Sequence, residues 1–103
     1  MMENKYSTDF SVESVNKNIS RLINQCWKLI PMKENNENWQ KQIETLTIEF
    51  AGLNEIFYTQ PQILQVLSKL EGLSVTEPEF GLYRKTVFEV ISLTQGLRDV
   101  LLR

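Results

Sequence analysis

Three stretches of the chain carry apolar residues at steps of three and four for several helical turns. Val12, Val15, Ile19, Leu22, Cys26 and Leu29 form the first series, and Trp39, Ile43, Leu46, Phe50, Leu53 and Phe57 the second. Phe80, Tyr83, Val87, Val90, Leu97 and Leu101 form the third, with Thr94 in its one polar slot. A helix gathers such positions into one stripe, and the stripe must be covered by other apolar surface. The pattern predicts helices packed on helices. It constrains architecture far more than activity.

Punctuation residues divide the chain further. Residues 1–8 read as a loose polar arm. A first helix is expected from about Ser11 to Ile30, capped by Asp9 or Ser11 and ended by Pro31, because a residue before proline avoids helical dihedrals. A second is expected from about Glu37 to Tyr58, with Asn35 or Asn36 as its N-cap. Gly52 sits inside it beside Ala51, which suggests close approach of a neighbouring helix. A third, shorter helix is expected over Pro61 to Glu71, with Thr59 as its cap and Gly72 as its C-terminal stop. Leu73 to Pro78 then reads as a loop, and Thr76-Glu77-Pro78-Glu79 as a capping box that opens a fourth helix running almost to Arg103. Short links favour antiparallel neighbours. The expected fold is therefore all-α, an antiparallel up-down four-helix bundle, with residues 1–103 as a single domain.

Composition narrows the function classes. The chain has 103 residues and a net charge of −2, from 11 basic and 13 acidic residues, which disfavours a nucleic-acid surface. No stretch resembles the roughly 18 consecutive apolar residues of a membrane span. Met1 to Phe10 lacks the apolar core of a secretory signal, so the expected location is the cytoplasm.

Chemistry-bearing residues are scarce. The count of histidines is 0, which removes the commonest general base, the usual metal ligand and every nucleophile–histidine pair. The single cysteine, Cys26, falls in the first apolar stripe, where it reads as a small buried hydrophobe. Gly52, Gly72, Gly81 and Gly96 are too dispersed for a phosphate-cradling loop. Glu44, Glu49, Glu55, Glu71, Glu89 and Asp99 read as solvated faces, since the helix 2 acids fall between its stripe positions. Residues 63–76 have the rhythm of a helix-turn-helix. The would-be recognition helix, however, opens Glu77-Pro78-Glu79 where cationic or amide side chains would be needed. No catalytic, metal or cofactor-binding residue is expected, and the chain is not expected to be an enzyme.

What remains is surplus apolar surface. Trp27 lies one step off the first stripe, and Phe57 and Tyr58 are adjacent, so both are buried only if the helix end is covered from two sides. Phe88 and Ile91 are set off from the main stripe of the last helix. Trp27, Phe57, Tyr58, Phe88 and Ile91 are therefore the candidate interaction surface, for another protein or a second copy in a homodimer. The length and helical pattern loosely resemble small bacterial or phage helical proteins: bacteriocin immunity proteins, adaptor domains and small subunits of nucleic-acid effector complexes. No motif of any of these is present. The expected function is a non-enzymatic protein–protein interaction module, an adaptor, immunity or accessory subunit. The alternative is a nucleic-acid-associated small subunit that uses Lys69, Arg84, Lys85 and Arg98.

Overall fold

In the computed structural model, residues 12–56 and 60–101 are described, and all of their regular structure is α-helical. The elements in chain order are α1 (Val12–Trp27), α2 (Leu29–Glu34), α3 (Trp39–Ile56), α4 (Pro61–Thr76) and α5 (Phe80–Leu101). Four long helices and one short one thus form an all-α bundle with one continuous core. The arm at residues 1–8, Asp9, Ser11 and Thr59 lie outside the described residues.

Pro31 does not end the first helix where expected. It has no N–H, so the carbonyl of Trp27, four residues earlier, loses its helical donor, and α1 stops there. The backbone of Lys28 stays helical at φ −65°, ψ −23°, and Met32 N–H still donates to Lys28 O at 3.1 Å. The chain therefore runs on into α2, with Pro31 in the first turn, where a missing N–H costs nothing. Asn35 and Asn36 close α2 rather than cap α3. Asn36 adopts a left-handed φ of 57°, Asn36 N–H donates to Lys33 O at 3.2 Å and Glu37 N–H to Met32 O at 2.7 Å. That pair of bonds is a Schellman ending, with asparagine in the usual glycine position. The N-cap of α3 is Asn38, whose Oδ1 accepts from Lys41 N–H at 3.2 Å.

The second correction concerns α4. It does not stop at Gly72 but continues to Thr76, so the stretch read as a loop and a capping box is largely helix. Thr76 is a last-turn residue whose hydroxyl donates back to Gly72 O at 2.6 Å. Glu77 ends the helix in the left-handed conformation, φ 43°, with its N–H on Leu73 O. A helix that passes through Gly72 also removes the turn of the helix-turn-helix reading.

The core explains the packing order. On α5, Tyr83, Val87, Val90, Thr94 and Leu97 are all fully buried. This helix packs against α1, α4 and α2, while α3 packs against α4 and α2. Ser20 meets Arg98 and Trp27 meets Phe88, so α1 and α5 run in opposite directions. Gln25 meets Gln42 and Arg21 meets Glu49, so α1 and α3 do too. The Thr94 hydroxyl is satisfied locally by donating to Val90 O at 2.7 Å, which lets a polar residue sit in the core stripe. Gly52 is exposed, and a Cβ there would meet nothing within 4 Å, so it marks no close helix approach.

Two expectations follow. Leu46→Ala and Phe50→Ala, both at fully buried positions, should each cost about 2–5 kcal/mol in chemical denaturation, whereas exposed Glu44→Ala should change stability by less than about 0.5 kcal/mol. Gly52→Ala should stabilise by about 0.5–1 kcal/mol, because the added methyl meets open space and the unfolded chain loses freedom.

Candidate functional site

Among the described residues, burial displaces the pKa values of two titratable groups, Cys26 and Tyr83. Cys26 is fully buried, and desolvation pushes its thiol up to about 12, so the nucleophilic thiolate is suppressed. Tyr83 is likewise pushed well above its ordinary value by burial. Its hydroxyl donates to Leu29 O at 2.9 Å and ties α5 to α2. Trp39 packs edge-on to the Tyr83 ring at 5.2 Å, and the Lys33 ammonium lies 4.3 Å from the Trp39 ring centre and 5.0 Å from that of Tyr83. These contacts join α2, α3 and α5 at one end of the bundle. Their role is cohesion.

The surface is more informative. Trp27 and Phe88 meet edge to face, ring centres 5.4 Å apart and planes at 72°, while remaining 44% and 37% exposed. The proline-induced end of α1 places Trp27 at a helix terminus, and Phe88 lies on the flank of α5 toward α1, one step outside its buried stripe. The Arg84 guanidinium sits over the Phe88 ring at 5.0 Å, one turn earlier on the same helix. Phe80, Arg84, Lys85, Phe88, Glu89 and Ser92 line a shallow cleft of about 450 Å³ there.

Of the other three predicted surface residues, one is described. Ile91 is 3% exposed and belongs to the core. It lies three residues from Phe88 but on the core side of the α5 flank, so the helix turns it inward toward α1. Phe57 and Tyr58 lie outside the described residues. Much of the surplus apolar content of α5 is absorbed because that helix touches three others. Leu82 and Phe88 remain exposed on it.

A second apolar surface was missed by sequence reasoning. A groove of about 840 Å³ runs between α3 and α4, floored by Ile43 and Leu70 and walled by Ile48, Ala51, Leu67 and Val75. Ile48 is 67% exposed and Val75 74%. Leu64 falls on the same flank of α4 as Leu67, Glu71 and Val75, by steps of three and four, and is 48% exposed. The spacing carries the signal, but a loop reading of Leu73 to Pro78 hides Val75.

Charge is spread rather than gathered. Lys69 pairs with Glu89 at 3.6 Å and Arg21 with Glu49 at 2.9 Å. Arg98 donates to Ser20 Oγ at 2.8 Å and lies about 20 Å along α5 from Lys85. The four cations of the nucleic-acid reading therefore do not form one patch. Among the described residues, no cluster of three carboxylate or thiol ligands could hold a metal ion, and no helix is long and apolar enough to cross a membrane. No family model, curated protein or solved structure matches this chain.

The burial of Cys26 gives a direct test. A disulfide thiol reagent at pH 8 should leave the native thiol unmodified and label it fully in denaturant. The sign of the pH effect also follows. A thiol with a folded-state pKa raised by burial stabilises the fold fully below its unfolded value, near 9.0, and that stability is lost as pH rises toward about 12. The denaturation midpoint should fall across that window, and by less in Cys26→Ala measured against its own midpoint at neutral pH.

Proposed function

We propose that this chain is a non-enzymatic protein–protein interaction module. It acts by presenting a preformed apolar surface on a rigid helical scaffold. The observation that carries this reading is the Trp27–Phe88 pair, with Arg84 laid over the Phe88 ring and both rings substantially open to water. Tryptophan and arginine are the residue types that most often dominate binding energy, and a large aromatic held in one geometry loses little entropy on association. The α3/α4 groove adds a second exposed apolar area on a different part of the bundle. The absence of histidine from the sequence and the suppressed thiolate of Cys26 support a role without covalent or acid–base chemistry. A single cysteine with no partner suits a reducing compartment such as the cytoplasm. The partner is another protein, or a second copy of the chain across a two-fold axis.

Affinity capture from cells of the native host, quantified by mass spectrometry, tests the reading. A protein retained by the wild type and by Glu34→Ala, at an exposed position away from both surfaces, but lost from the Trp27→Ala/Phe88→Ala variant, is the expected result. Recovery of the same set of proteins by all three baits, with the wild type monomeric in sedimentation equilibrium, would contradict it.

A further inference from the structure

The surface around Phe88 has a chemical character that narrows its partner. We infer that it docks an acidic segment of a partner protein, in which carboxylate side chains flank an apolar one. This rests on the interaction reading above and adds the partner's chemistry to it.

Charge complementarity is the first argument. Arg84 and Lys85 are adjacent, exposed and unpaired with any carboxylate among the described residues. The acid that shares their cleft, Glu89, is engaged by Lys69 from α4. The Glu79 carboxylate lies back against Gly81, which lines the cleft one turn before Arg84 and Lys85. Arg84, Lys85 and Lys69 thus outnumber Glu89 and Glu79 around the cleft, on a chain of net charge −2. A guanidinium over an aromatic ring keeps its edge N–H groups free, and those donors suit a carboxylate in two-point geometry.

Ring geometry is the second argument, and it separates an acidic peptide from nucleic acid. Base stacking requires an open aromatic face. One face of Phe88 is covered by Arg84, and the ring meets Trp27 at 72° rather than in a parallel platform. Two unpaired cations are also few for a phosphate backbone, where affinity accumulates contact by contact. Lys69 is committed to Glu89, and Arg98 is distant. What this surface offers instead is exposed apolar edge from Phe88 and Trp27 beside two cationic heads that suit carboxylates.

Isotope-labelled protein titrated with three probes and followed by two-dimensional NMR decides this. The probes are a twelve-residue peptide alternating aspartate with leucine and phenylalanine, the same peptide with asparagine for aspartate, and a twelve-nucleotide oligothymidine. The expected result is shifts confined to Trp27, Arg84, Lys85, Phe88 and their neighbours. The aspartate peptide should bind at least tenfold more tightly than the asparagine peptide. Arg84→Glu/Lys85→Glu should lose at least tenfold of that affinity, whereas Lys41→Glu on α3 should stay within twofold. Circular dichroism on the variants should show the fold unchanged, as exposed positions allow. Equal binding of the two peptides at this surface would overturn the acidic preference while leaving the interaction reading standing. Tighter binding of oligothymidine, or no shifts here with either peptide at millimolar concentration, would overturn the proposal outright.

Discussion

The buried stripe of α5 is the constraint on which the rest of this molecule depends. Tyr83, Val87, Val90, Thr94 and Leu97 are sealed by α1 on one flank, α4 on the other and α2 at one end. Burying the apolar members of this stripe contributes roughly 1.5–3 kcal/mol each by apolar transfer, and the stripe is shared with three other helices. The Tyr83 hydroxyl adds direction to that attraction. Its bond to Leu29 O fixes α2, and with it the turn that leads into α3. Because α5 is held on three sides, Arg84, Lys85 and Phe88 project from a backbone that the core anchors.

Residue 31 shows how one local rule acquires a consequence at the surface. Proline removes a single N–H, which interrupts the hydrogen-bond ladder at Trp27. An uninterrupted helix would keep Trp27 in mid-helix. Here it stands at a terminus, against Phe88. The aromatic pair thus joins the last residue of α1 to the flank of α5. An exposed pair with a guanidinium laid across it is not needed to hold the core together, and that is the physical basis for assigning it a role outside the molecule.

The apolar spacing made the helices and much of the core legible in the sequence. Leu46, Phe50, Tyr83 and Val87 are all fully buried where their stripes predicted. Boundaries were less legible, because the same residue types serve opposite purposes. Asn35 and Asn36 are good N-caps and also good left-handed C-terminal residues, and only the hydrogen bonds of the folded chain choose between them. Gly72 is a natural stop, yet helical packing of Leu73 against the core carries α4 past it. That misplaced end hid Val75 and, with it, the groove between α3 and α4. Trp27 and Phe88 were legible as a surface because neither fits its stripe. Ile91 was not, because a residue on a stripe's edge turns inward when a third helix covers it.

Native-state hydrogen exchange tests the central place of α5 most directly. If its buried stripe organises the bundle, the amides of Val87, Val90 and Leu97 should exchange only through global unfolding, with the largest protection in the chain and full sensitivity to denaturant. Protection in α3 should be equal or lower. Exchange of the α5 amides through a local opening, at free energies well below those of α3, would contradict the account. It would also remove the anchored helix from which Phe88 meets Trp27.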